Sequence, residues 1–180
     1  MDDIVAAALR KWPHVPHVHG WLGLDARGQW WLRDAAVQAA GPFPASRGSV
    51  VDHRRLADFI GRNYAADANG DWYFQNGPQR VYVELEAAPW VWRLEPAAGG
   101  VTLRAHTGAG ASRRSVWLDE RGRLFVDTDL GFGLVHTLDT GIAAHAIDAG
   151  HWPAPLSLPF AAMPQRFGYR LSPQRHAASR

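Results

Sequence analysis

Three short segments of one form punctuate this chain and restrict its architecture more than any other feature. Asp25-Ala26-Arg27-Gly28, Asp67-Ala68-Asn69-Gly70 and Asp119-Glu120-Arg121-Gly122 each read Asp-x-(Arg/Asn)-Gly, and one residue further on each is followed by three large apolar residues. Aspartate initiates a tight turn by accepting main-chain N–H groups, and glycine supplies the positive φ that closes it. The three segments therefore predict antiparallel β-hairpins. Their unequal spacing argues against a propeller or solenoid, which needs a steadier period.

Between the hairpins the pattern changes. Asp2 and Asp3 precede a short amphipathic helix that Pro13 and Pro16 stop near Trp12. Leu56, Phe59, Ile60 and Tyr64 fall on one face of a second helix, with Asp52 as its expected cap. Val81, Val83 and Leu85 alternate with Tyr82, Glu84 and Glu86, the mark of a strand with two unlike faces. Leu134, Leu138, Ile142 and Ile147 suggest a further long helix, despite Gly141.

The expected fold is α+β, mainly antiparallel hairpins and a meander with two long helices and a short N-terminal one. The stretch from Leu24 to Leu32 aligns with Leu118 to Val126. Two pseudo-repeated halves are one reading of that similarity, and recurrence of a common turn is the other. A chain of 180 residues suits one domain or two small halves. The boundaries expected are one α+β domain over 1–150, with halves 20–65 and 66–150, then a proline-rich wrapping segment and basic tail over 151–180.

Composition narrows the function classes. No apolar run approaches the roughly 20 residues a bilayer needs, so no membrane role is expected. The chain has no cysteine, which removes disulfides, thiolate metal sites and cysteine nucleophiles. Acids before the apolar N-terminal run, and bases after it, reverse the order of a secretory signal, and a cytoplasmic address is expected. Lys11 is the sole lysine among 19 basic residues, as codon bias in a GC-rich bacterial genome produces. With a net charge of +2 and acids interspersed, nucleic-acid binding is not expected.

The run Gly70-Asp71-Trp72-Tyr73-Phe74, continued by Arg80-Val81-Tyr82-Val83-Glu84-Leu85-Glu86-Ala87-Ala88-Pro89-Trp90, resembles a widespread bacterial family known only as a domain of unknown function. The resemblance covers roughly residues 20 to 130. It implies repeated α+β motifs and a signalling or regulatory role, and it supplies no catalytic residues to carry over.

Several constellations could carry chemistry. His14, His17 and His19 form a His-x-x-His-x-His cluster that could hold zinc or iron, although extended backbone turns His14 away from the other two. Asp127 and Asp129 share one face of a strand end, suited to a cation or to capping. Gly131-x-Gly133 opens the predicted last helix but lacks the third glycine of a dinucleotide loop. The Gly108-Ala109-Gly110 loop, beside Arg113 and Arg114, could form an anion nest.

The most unusual feature is nine tryptophans, with Trp30-Trp31, Trp72-Tyr73 and Trp90-Val91-Trp92 on strands. Adjacent strand residues face opposite sides, so each pair puts a ring on either face. The expectation is a non-enzymatic regulatory or interaction module that binds a small molecule, a protein or a second copy of itself through an aromatic sheet face. Trp30, Trp72, Arg80, Glu84, Glu86 and Trp90 are its candidate residues, with no cofactor. The alternative is a metal-binding protein or metal-dependent enzyme organised by His14, His17 and His19.

Overall fold

A computed structural model describes residues 1–178. The elements run α1 (Asp3–Lys11), β1 (Val18–Leu24), β2 (Trp30–Leu32), α2 (Ala35–Ala40), β3 (Ser49–Val50), α3 (Arg54–Arg62), β4 (Tyr64–Ala66), β5 (Trp72–Asn76) and β6 (Gln79–Leu85). They continue with β7 (Trp90–Ala97), β8 (Gly100–Ala105), β9 (Gly110–Ala111), β10 (Arg113–Leu118), β11 (Leu124–Thr128), β12 (Gly131–Val135), α4 (Thr140–Asp148), β13 (Leu156–Ser157), α5 (Met163–Phe167) and α6 (Pro173–Ala178). The fold is α+β.

Contacts divide the described residues into two compact units, one of residues 1–25, 29–86 and 168–178 and one of residues 26–28 and 87–167. The two are built alike. The first holds a six-stranded sheet of order β3-β2-β1-β6-β5-β4, the second a seven-stranded sheet of order β13-β10-β11-β12-β7-β8-β9. In each, two antiparallel meanders are joined at the middle by a parallel pair, β1 with β6 in one and β12 with β7 in the other, and in the second β13 adds to the edge strand β10 in parallel.

The Asp-x-x-Gly turns close the hairpins β1–β2, β4–β5 and β10–β11 as the sequence predicts. Their chemistry is shared. Asp25, Asp67 and Asp119 accept with Oδ1 the main-chain N–H four residues on, at 2.9, 3.0 and 2.8 Å. Gly28, Gly70 and Gly122 adopt φ of 80°, 78° and 73°, the left-handed region that favours glycine.

Two local expectations are corrected. Helix α3 is capped by His53, whose Nδ1 accepts the Leu56 N–H at 3.3 Å, and not by Asp52. The helix read from Leu134 starts instead at Thr140, because residues 131–135 form β12 between β11 and β7. Phe132 to Val135 are all buried, and a strand covered on both faces loses the alternation that would reveal it. Gly133 is therefore not part of a ligand loop. Its bare Cα lets the strand approach Trp90 and Trp92, whose rings stack 5.8 Å apart, and Trp92 Nε1 donates to the Val126 carbonyl at 3.1 Å.

Candidate functional site

The site is built on the first unit's sheet by an irregularity in β1. Val18 pairs with Val81 and Leu22 with Val83, so residues 19–21 stand opposite Tyr82 alone, and Gly20 takes φ 79° within this bulge. A bulge re-aims side chains. Here it sets both Trp21 and Leu22 toward one hollow, of about 520 Å³.

The floor of this groove is Val18, Leu22, Phe74 and Val81, strand residues that share a face by register. Helix α3 forms a wall with Leu56, Phe59 and Ile60, and the Phe59 ring meets that of Phe74 edge-on at 5.5 Å. Only Ile60 of the helix is fully buried. Trp21, Leu32 and Leu56 stay 47%, 48% and 38% exposed, so the groove opens to solvent through large apolar side chains. Polar groups are few: Arg33 and Asp34 just after β2, with Asn76 and Gln79 on the β5–β6 hairpin; Asp34 caps α2 by accepting the Val37 N–H at 2.8 Å.

The opposite face of the same sheet is covered. Phe43 lies against Gly23, where a Cβ would stand 2.6 Å from its ring. Helix α6 packs on β1 and β6. Arg33 is fully buried there and donates to three main-chain carbonyls, Gly20 at 2.9 Å, Gly41 at 2.7 Å and Ser46 at 3.0 Å, which ties the bulge to the loop after α2.

The aromatic and acidic candidates occupy varied settings. Trp30 is buried, edge-on to Tyr64 at 5.1 Å, and Trp72 leans on the same Tyr64 at 4.7 Å. Trp90 is buried in the second unit and donates Nε1 to the Leu130 carbonyl at 2.9 Å. Arg80 sits over the Tyr73 ring at 4.4 Å. Glu84 is buried and accepts the Gln174 N–H at 3.0 Å; burial raises its pKa against the lowering effect of Ser172, Gln174 and Arg33. Glu86 takes both of its oxygens to Arg47, at 3.2 and 3.1 Å. None of these six lines the groove. The residues that do, Trp21, Leu56 and Val81 among them, were legible as apolar but not as uncovered.

His17 and His19 do come together. His19 stacks on Tyr82 at 4.4 Å, with His17 edge-on to the same ring at 6.1 Å. Both rings are held below the usual histidine pKa, chiefly by burial; the Arg80 charge adds to this at His17, and the Asp71 charge opposes it at His19. They line a smaller hollow with Asp67, Asp71 and His176, where His176 Nδ1 and Arg170 Nη1 meet Asp71 Oδ2 at 2.9 and 3.1 Å. His14 lies in an exposed turn outside that hollow. Among the described residues no group of three or more His, Asp or Glu side chains is placed to hold a metal ion. None of their helices is long and apolar enough to cross a membrane.

A two-sheet α+β protein with an open apolar groove is thus the class that fold and site define. The chain belongs to the DUF2944 family, whose description reads "Protein of unknown function (DUF2946)" and whose model matches residues 1–174. No curated protein sequence matches it. Among solved structures it is similar to a DUF1285 family protein from Shewanella baltica OS155, at 12% identity and TM-score 0.49, over 70% of this chain and 91% of that one. A DUF1285 family protein from Silicibacter pomeroyi DSS-3 is similar at 13% identity and TM-score 0.49, over 78% and 82%.

Proposed function

We propose that this protein is a regulatory binding module that takes a small apolar molecule in the groove between α3 and the β5–β6–β1 face. The observation that carries this reading is the groove itself. Its volume of about 520 Å³ falls in the range of small-molecule sites, roughly 300–1,000 Å³, and its lining is apolar with a few polar groups at the margins. Large apolar side chains left open together mark an interaction surface. A concavity favours a compact molecule over a flat protein partner.

A ligand of naphthalene size would bury about 200 Å² here, worth about 5 kcal/mol at 25 cal/mol per Å². Before association costs that corresponds to a Kd on the order of 200 µM, and those costs weaken it further. The uncharged fluorophore 1-N-phenylnaphthylamine provides the test. Binding should brighten its emission and saturate. Leu56→Glu puts a charge at the exposed mouth and Val81→Trp fills the floor, and each should weaken binding at least tenfold while leaving the melting temperature within a few degrees. Unchanged binding in both variants would sink the proposal.

A further inference from the structure

The second unit has two adjoining hollows at the end of the β7–β8 hairpin. One, about 500 Å³, lies between the hairpin and α4 and offers carbon surface from Pro96, Val101, Ile142 and Ala146. The other, about 340 Å³, is mostly polar and is lined by Ser112, Arg113 and His151. They meet at Gly99, Gly100, Val101 and His151, which line both. The polar hollow exists because β9 pairs with β8 only at Leu103 and Arg104, leaving the Gly100–Val101 edge uncovered on that side.

Arg113 gives this cleft its sign. Its guanidinium lies over the ring of buried Trp152, 5.5 Å from the centroid, which holds the cation in place without neutralising it. Among the described residues it has no ion pair, in contrast to Arg93 on Asp139 and Arg123 on Asp119. Of the two acids that flank its strand partner Thr128, Asp129 is engaged by the Ser112 N–H at 2.7 Å and Asp127 stands in register with Ser115. Among the described residues no acid lines either hollow.

We propose that this cleft binds an amphiphilic anion, a molecule with a short apolar body and a terminal oxyanion. The body lies against Val101, Ile142 and Ala146, and the oxyanion meets the Arg113 guanidinium and the Ser112 hydroxyl. A guanidinium presents paired N–H donors that match carboxylate and phosphate oxygens alike. The recognised chemistry is therefore the oxyanion, and carboxylate and phosphate are its two sources. This site is separate from the groove of the first unit and does not depend on that reading.

The test is a titration of the ¹⁵N-labelled full chain with octanoate and octyl phosphate, with octanol and inorganic phosphate as half-ligands. At least one octyl anion should shift the amide resonances of Gly99, Gly100, Val101, Ser112 and Arg113, at least tenfold more tightly than either half-ligand, and the tighter of the two names the source. Arg113→Gln should weaken that anion tenfold or more without changing octanol binding, and Arg113→Lys should recover part of the loss. The spectrum itself verifies that each variant is folded. Wild-type affinity in Arg113→Gln, absent shifts at these amides, or shifts confined to the Trp21 and Val81 region would overturn the proposal.

Discussion

Replacing Gly133 by alanine tests the packing that joins the two meanders of the second unit. A Cβ at Gly133 would stand 2.3 Å from Trp92 Nε1 and 2.7 Å from both the Cβ and the carbonyl oxygen of Trp90. Two of those atoms are main chain or fixed to it, and Trp92 is completely buried, so little can give. Either the β12–β7 pair separates or Trp92 tilts and loses its hydrogen bond to Val126. Overpacking of a close-packed core costs about 1–3 kcal/mol, and the lost bond adds about 1 kcal/mol. For a chain of this length that lowers the melting temperature by roughly 5–15 °C. Differential scanning calorimetry reads it directly. Gly141→Ala is the matched control, since among the described residues nothing lies within 4 Å of its added Cβ, and in α4 it should stabilise by about 0.5 kcal/mol. A Gly133→Ala melt within 2 °C of the wild type would refute the account of why that glycine is there.

Two further outcomes follow from buried polar groups. Burial pushes His106 down to about 3, so the folded imidazole refuses a proton that the unfolded chain accepts near pH 6.5. Its contribution is complete above that pH and is withdrawn as pH falls, by about 1.4 kcal/mol per unit. Urea melts at pH 7.5, 5.5 and 4.5 should show that slope, and His106→Gln should flatten it; an equal slope in the variant would remove His106 as the cause. Arg33→Leu strips three main-chain carbonyls of their buried donor and should lower stability by about 3–5 kcal/mol, with Arg33→Lys recovering less than half. A shift in the urea midpoint equivalent to less than about 1 kcal/mol would contradict that assignment.

How far the sequence reveals this molecule depends on how local the controlling physics is. Each Asp-x-x-Gly turn is written in five consecutive residues, and helix α3 shows its face through Leu56, Phe59 and Ile60. Strand β12 is hidden because burial on both faces erases its period. The parallel pairings depend on segments far apart in the chain, and the β1 bulge depends on Gly20 having Arg33 to hold its carbonyl. Tryptophan content marks Trp30 and Trp90 as prominent, yet both are buried, while Trp12 and Trp21 are left open. Whether an apolar residue is covered is decided by its neighbours in space. The same holds for His17 and His19, which their spacing groups with His14 but which the parallel β1–β6 pairing brings beside Tyr82.

The groove under α3 is the proposed binding site of the first unit. Isotope-filtered nuclear Overhauser spectra of the labelled protein with unlabelled 1-N-phenylnaphthylamine place the ring against particular side chains. Contacts to Trp21, Leu56, Phe59 and Val81 are the predicted result. A bound fluorophore that shows none of these contacts would contradict the account.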